Sequence, residues 1–564
     1  MDKAKEFGLL PFGAVPSVRQ IRHLREYGKK AFFHFGVNTF TNLEWGKGTE
    51  DASVFHPTDT DVKQWIKVVK EAGFTLAILT VKHHDGFCLW PSKFSEHNIA
   101  NSPYQKDLLR QFTDACHELG VAVGLYLSPW DRNCPLWGTD DYNAYYNNQL
   151  TEILSNYGRV DEVWWDGAGS QEAVYDWALW AGTVRSLQPE AVIFGSLGAT
   201  PYVEMHWVGN ESGYAGDPHF ATISNHALEV EDTKELNSGC FGGERFIPAE
   251  VDVSIRPGWF YHPDQDDMVK TPGQLVKIWL DSVGKGAIML LNFPPDRRGR
   301  IPDVDADNAL QAHRIITDTF AVNLAEGATV TADSLHHPKA APEMILCDDY
   351  DSFYAAADDH ITPTLTLRLP EAKTFDCFAI GEYVELGQRI DGYKVEAKVD
   401  GRWVLLAQKE SIGFKTVHHF APVCSDTVRL TVLSAAAPPV LREFGLYKLS
   451  QDIFAAEREM AGKMERAVDL CTLSTAEILR EDKELTVAFG GIFPFNTIRF
   501  DGNGLWRYEI LAFDGTKYYS VFKGNRPARD QVVRLEHTVE GSYQLKFVTS
   551  RPLPPEFALQ IYRL

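Results

Sequence analysis

The chain reads as an α/β protein: a (β/α)8-like barrel of the TIM type followed by C-terminal β-sandwich domains, and three observations predict this. At 564 residues it is too long for one ordinary core, and it suggests about three domains, the largest matching a barrel of about 250 to 300 residues. From Ala31 to about Pro294, short β-rich runs alternate with longer amphipathic stretches. After Leu324 helical periodicity stops, and short alternating runs separated by turn residues take over.

Eight strands are predicted in the first region, at 31–38, 76–82, 122–128, 162–166, 191–196, 203–208, 249–255 and 286–293. Their near-continuous apolar character suits strands covered on both faces, as in a parallel barrel. Helices are expected between most of them, at Asp61 to Ala72, Asp107 to Leu119, Asp141 to Tyr157 and Gln171 to Leu187. The sixth unit, within 197–248, is the least regular. Beyond the barrel, 365–369, 390–397 and 428–432 read as strands of a sandwich, and a helical bridge at Ile453 to Leu470 leads to a last strand-rich region. The expected domains are 1–324, 325–450 and 451–564.

A net charge of -22 without any basic run argues against nucleic acid or anionic lipid as a partner. A neutral or cationic ligand fits better. Fourteen Trp and twenty-one Tyr supply flat apolar faces with polar rims, as sugar sites use. The eight cysteines are scattered, with no C-x-x-C pair, and read mostly as free thiols. Residues 1–30 contain no apolar core of signal-peptide length, and no run is long enough to span a bilayer. With Met1 as the natural start the expectation is a cytoplasmic protein; a trimmed chain would be compatible with secretion or the cell surface.

The segment Glu162-Val163-Trp164-Trp165-Asp166-Gly167 runs apolar and aromatic positions into a lone carboxylate and a glycine. A buried strand delivers an acid to a pocket in this way. Left dry and unpaired, such a carboxylate costs several kcal/mol or shifts its pKa. Asp166 is therefore the first candidate for the reacting group; the other reading is a strand-end Asp that caps the helix expected ahead of Gln171-Glu172.

Barrel active sites form at the carboxyl ends of the strands. The polar and aromatic residues predicted there are His34, His83, His84, Trp90, Tyr126, Trp130, Asp166, Glu211, Trp259 and Phe260. Imidazoles and carboxylates bind hydroxyls, and rings pack against C–H faces, so the set suits a polyhydroxylated neutral substrate. Glu44-Trp45, a carboxylate beside a ring in the first long loop, is a natural hydroxyl clamp. His83-His84-Asp85 has donors for a metal, but adjacent strand residues point to opposite faces; neither a metal nor a cofactor is expected.

Two carboxylates allow glycoside hydrolysis, one as nucleophile and the other as acid and then base, about 5 to 5.5 Å apart in the retaining case. Asp166 suits the nucleophile. Glu211, in a Gly-flanked loop, suits the acid/base, with Glu250 as the rival and Glu204, Asp217 and Glu244 as more distant ones.

At these residues the chain resembles the α-L-fucosidases of glycoside hydrolase family 29. The resemblance covers roughly residues 10–310 and rests on Phe33-His34-Phe35-Gly36, Glu44-Trp45, Lys82-His83-His84-Asp85-Gly86-Phe87, Gly124-Leu125-Tyr126-Leu127-Ser128, Trp164-Trp165-Asp166-Gly167 and Leu290-Leu291-Asn292-Phe293-Pro294-Pro295. It implies that Asp166 is the nucleophile of a retaining reaction and that His34, Glu44, His83, His84, Tyr126 and Trp259 bind the fucosyl ring. The segments 207–213 and 248–262 resemble the branch restricted to α-1,3/1,4-linked fucose on Lewis-type glycans, which supports Glu211. Residues 325–449 resemble a discoidin-like (factor 5/8 type C) sandwich. The implied partners are fucosylated oligosaccharides or glycoconjugates. Two other functions stay open: a catalytically silent glycan-binding protein, and a metal-dependent hydrolase using the His cluster.

Overall fold

Eight parallel strands form the first sheet of the computed structural model: β1 (Lys29–Phe33), β2 (Leu76–Lys82), β3 (Ala122–Leu127), β4 (Glu162–Trp164), β5 (Val192–Phe194), β6 (His206–Trp207), β7 (Ala249–Ser254) and β8 (Ile288–Asn292). Residues 1, 170–172, 196–197, 456–461, 466 and 526 are outside the described part of the chain, as are the side chains of 2, 3, 536, 540 and 541. The strand order is β5-β4-β3-β2-β1-β8-β7-β6. A single parallel bridge, Phe194 to Met205, joins β5 to the residue ahead of β6 and brings the two ends of the sheet together as a TIM-like barrel.

Sequence explains these elements locally. Every residue of β2 is buried, as a parallel strand covered on both faces requires. The helix Leu108–Leu119 starts where Asp107 accepts a hydrogen bond from the Arg110 amide, and it stops at Gly120, whose φ of 68° suits a residue without a Cβ. Asp61 caps Val62–Glu71 in the same manner. The helix after β4 begins at Trp177, and Asp176 caps it through the Leu179 amide. Asp166 is therefore not the cap of that helix. The expected start of the helix at Gln171, the end of the strand at Ser196, and part of the bridge expected over 453–470 fall outside the described residues.

Inside the barrel the side chains form levels. Phe32, Ile78, Tyr126, Trp164, Phe194 and Leu290 pack into one apolar cluster, with Trp164 stacked on Phe194 at 3.9 Å and on Tyr126 at 5.4 Å. Closer to the strand beginnings sits a charged group. Lys30 donates to Glu162 at 2.6 Å and pairs with Glu250, whose second oxygen accepts from the Trp164 indole at 3.1 Å. All three charged residues are fully buried.

Past the barrel the chain is antiparallel. A seven-stranded sheet includes the long strands Thr364–Glu382 and Thr416–Ala435, with Phe375, Phe378, Tyr393, Val428 and Phe444 in its core. A six-stranded sheet follows, led by Glu484–Phe500 and Gln531–Thr549. The chain forms two compact units: Met1–Gly209 with Ala215–Gln451, and Asn210–Tyr214 with Asp452–Leu564. All eight cysteines are free. Among the described residues no helix is long and apolar enough to cross a membrane.

Candidate active site

Of the expected strand-end residues, His34, His83, His84, Tyr126, Trp130, Trp259 and Phe260 gather at one mouth of the barrel, and Asp166 is the acid in their midst. Two residues beyond β4, its Oδ1 accepts from the Ala168 amide at 2.8 Å and its Oδ2 from the Tyr126 hydroxyl at 2.8 Å. About a quarter of the side chain remains exposed. Burial, and then the Asp166 charge, push the Tyr126 phenol far above its ordinary pKa, so Tyr126 stays a donor.

His84 faces the same carboxylate, with Nε2 3.7 Å from Asp166 Oδ2. Burial lowers its pKa to about 4 against the raising effect of Asp166. Its Nδ1 lies 2.8 Å from Ser128 Oγ, and that hydroxyl donates to the Trp130 carbonyl at 2.6 Å. Ser128 thus receives the Nδ1 proton, and the neutral ring turns the Nε2 lone pair toward the mouth.

His34 lies just past β1. Its Nδ1 meets Asn292 Oδ1 at 2.9 Å, while the Asn292 amide donates to Ser254 at 2.9 Å and to the Trp259 carbonyl at 2.8 Å. One amide from β8 thereby fixes both the imidazole and the Trp259 loop. The Trp259 ring is 5.0 Å from His34.

The expectation that His83 and His84 point apart fails. β2 ends at Lys82, so the strand alternation does not extend to them, and their rings lie 4.0 Å apart. His83 is also within 5.6 Å of His34 and stacks on Tyr126 at 5.8 Å. Burial holds its pKa well below the usual range, and its buried Nδ1 has no hydrogen-bond partner in the protein. A dry imidazole nitrogen aimed into a cluster of polar rings is costly unless a ligand atom meets it. Among the described residues no group of three or more His, Cys, Asp or Glu side chains is arranged to hold a metal ion.

Glu44 acts inside the protein as a clasp. It accepts from the Trp259 amide at 2.9 Å and contacts His262 Nε2 at 2.6 Å. A Cβ at Gly258 would run into the Glu44 carboxylate and the His262 ring that it holds, so the glycine leaves this clasp its room. Trp45 is half exposed and stands edge-on to His84 and Trp130 at 5.6 and 5.5 Å. Phe260 packs edge-on against His34 and His83. Trp90 is not part of this cluster: its indole donates to Glu152 at 3.0 Å, tying it to the helix Asp141–Asn156.

The rival acids are placed elsewhere. Glu250 is sealed in the barrel interior against Lys30. Glu204 is bound by Arg19 and Arg185, Asp217 by Lys409 at 2.6 Å, and Glu244 accepts from the Asn225 amide. Glu211 is half-buried and lies in the second compact unit, within the segment Asn210–Tyr214. Sequence reasoning missed the roles of Ser128, His262 and Asn292. Asn292 had a signal, an amide closing an otherwise apolar strand.

Imidazoles and a phenol of the kind that bind hydroxyls, rings of the kind that cover C–H faces, and an acid at a barrel strand end together fit a barrel glycoside hydrolase. The alpha-L-fucosidase family model matches residues 21–313. Alpha-L-fucosidase 1 of Arabidopsis thaliana is 35% identical over 453 residues, covering 78% of this chain and 88% of that protein. A solved structure of a proposed alpha-L-fucosidase from Bacteroides thetaiotaomicron is 41% identical, with a TM-score of 0.77 over 79% of this chain and all of that one. A glycoside hydrolase 29 family member from an unknown rumen bacterium is 28% identical, with a TM-score of 0.72, and the likeness covers 98% of this chain and 100% of that one. The chain belongs to the alpha-L-fucosidases of glycoside hydrolase family 29.

Proposed function

We propose that this α-L-fucosidase is a retaining exo-enzyme that removes fucose from α-1,3/1,4-linked branches of Lewis-type glycans by double displacement. The observation that carries the reading is the setting of Asp166, an accessible carboxylate with both oxygens hydrogen-bonded and a neutral imidazole beside it. In the first step an Asp166 oxygen attacks C1 of fucose, the glycosidic C–O bond breaks, and Glu211 protonates the leaving oxygen. In the second, Glu211 takes a proton from water, the water oxygen attacks C1, and the Asp166 ester bond is released. His34, His83, His84 and Tyr126 would engage the sugar hydroxyls, and Trp45 and Trp259 would cover its apolar faces; Glu44 would act on the ring or through the Trp259 loop it holds. The sandwich after the barrel is read as a discoidin-like module, and the acidic chain favours a glycan over a nucleic acid as partner.

Asp166→Asn should lose turnover by at least about a thousandfold while melting at the wild-type temperature; rapid turnover by this variant removes Asp166 from the role. For Glu211→Gln, azide should restore cleavage of an activated aryl fucoside, and rescue in Glu250→Gln instead would move the acid/base to Glu250. A panel of defined oligosaccharides tests the linkage: Lewis a and Lewis x trisaccharides should release fucose, and α-1,2-fucosyllactose should be a poor substrate.

A further inference from the structure

Between β5 and β6 the described residues contain no helix, and a cavity of about 430 Å³ opens beside them on the outside of the barrel. Val192 and Phe194 turn inward to the apolar cluster, so Ile193 between them faces outward, into this space. Opposite stands the helix Trp177–Leu187, whose residues Ala178, Ala181, Gly182 and Arg185 share one face at helical spacing. Three of these four are too small to fill the gap. A Cβ at Gly182 would find no atom within 4 Å.

The walls of the cavity are cationic. Arg19, Arg185 and Arg245 all line it, and Glu204 is the carboxylate among them. Glu204 is engaged by two of the three: its Oε1 accepts from Arg19 Nε at 2.8 Å and Nη2 at 2.6 Å, and its Oε2 accepts from Arg185. Arg245 donates instead to the carbonyls of Thr200 and Val203, the latter at 2.7 Å. No carboxylate of the described residues stands within ion-pairing distance of its guanidinium, which has donors left over after those two bonds. Burial pushes Arg185 and Arg245 below the ordinary guanidinium value, and the Glu204 charge only partly offsets this. In a chain of net charge -22, this is a local excess of positive charge.

We propose that this cavity binds a compact anion, a phosphate or carboxylate group on a small body, with Arg245 as the residue that grips it and the Ala178-Ala181-Gly182 face of the helix as its apolar floor. A guanidinium fork matches either oxyanion through two parallel hydrogen bonds, and a half-buried cation without a carboxylate partner has the most to gain from one. The site lies where the barrel closes. Phe194 and Met205 form a single parallel bridge there, and the Glu204 and Met205 amides both donate to the Ile193 carbonyl, at 2.8 and 3.2 Å. Arg19 comes from the helix Val18–Glu26, Arg185 from Trp177–Leu187 and Arg245 from the short strand Arg245–Phe246. An anion held among them braces that seam from outside, so its binding stabilises the fold.

The test uses the full-length chain, with inorganic phosphate and citrate as probes and ionic strength matched by sodium chloride. Equilibrium dialysis should find about one anion bound per chain, and the anion that binds should raise the melting temperature by about 2 °C once it exceeds its Kd tenfold. Arg245→Met should weaken binding at least about tenfold, the loss expected for a hydrogen bond between charged groups. Gly182→Leu sets a side chain in the open floor and should abolish binding. Gly182 is exposed and leucine is the better helix former, so this variant decides the matter even where Arg245→Met does not fold. Absence of binding by both probes, or binding that persists in either variant that folds, would overturn the proposal. A melting shift that chloride alone reproduces would do the same, because it reports screening and not a site.

Discussion

Two acids four residues apart, Glu162 on β4 and Asp166 just past its end, live in opposite surroundings. Glu162, at the first residue of β4, is fully buried and tied to Lys30. Burial, and then the Glu250 carboxylate, drive its pKa well above the usual range. Burial disfavours the Lys30 cation too, yet the two carboxylates more than offset it and hold Lys30 above its ordinary value. Asp166, two residues past the strand, keeps contact with solvent and accepts from a phenol and an amide. The lower level of the barrel therefore spends its charges on each other, whereas the mouth presents one to an incoming ligand. A buried carboxylate in a barrel is not by itself a catalytic one; what separates the two is whether its counter-charge is already inside the protein.

The sharpest test of that contrast exchanges the failure modes. Asp166→Asn should abolish turnover, by a factor equivalent to at least about 4 kcal/mol, with no loss of fold. Lys30→Met should do the reverse. It strands two carboxylates in a dry core and should cost about 3 to 5 kcal/mol of stability in denaturant titration, while the folded fraction keeps its kcat. A Lys30→Met enzyme that is stable but inactive would make the lower level part of the chemistry and erase the distinction.

The same contrast explains what could be read in advance. β2 was legible to the residue because its apolar run is unbroken and buried throughout. The span predicted at 203–208 shrank to His206–Trp207 because the chain there makes only an isolated bridge at Met205 before the strand begins. Asp166 stood out as an acid after three apolar or aromatic positions. Lys30 did not, since a lysine ahead of an apolar strand reads as a surface residue until Glu162 and Glu250 are seen opposite it. The pairing is non-local, with partners 132 and 220 residues away. For the same reason the His34–Asn292–Trp259 chain and the Glu44 clasp were invisible: each joins loops from distant strands. The period-2 argument that separated His83 from His84 failed because it assumed the strand continued past Lys82.

A smaller effect is expected one hydrogen bond away from Asp166. Tyr126→Phe keeps the ring that stacks on Trp164 and His83 but removes the donor to Asp166. A hydrogen bond to a charged partner is worth about 1.5 to 3 kcal/mol, so kcat/KM should fall roughly ten- to a hundredfold, with melting temperature nearly unchanged. A fall in stability with intact kcat/KM would place Tyr126 with the structural residues of the lower level.

The mildest prediction concerns acid, and it links both regions through their imidazoles. His84 at the mouth and His23 beside Glu162 both have pKa values lowered first of all by burial, to about 4 in His84. In the unfolded chain each binds a proton near pH 6.5. Below pH 6.5 the unfolded state holds more protons than the folded one, so the stability these rings contribute is present above pH 6.5 and drains away as pH falls, for His84 toward 4. Each such ring sets a slope of up to about 1.4 kcal/mol per pH unit. Asp85 and Glu382, both raised by burial to about 7, run the other way: their contribution is full at low pH and is lost as pH rises through 7. Total stability against pH therefore mixes the two signs, and the informative quantity is the difference between wild type and variant. His84→Asn should flatten the acid limb between pH 6.5 and 4 by about one ring's slope, leaving the pH dependence above pH 7 as it was. His23→Phe should do the same at the lower level, without the loss of sugar binding that accompanies the change at the mouth. An unchanged acid limb in His84→Asn would mean that this imidazole is already protonated in the folded protein, and the neutral ring that offers a lone pair beside Asp166 would have to be abandoned.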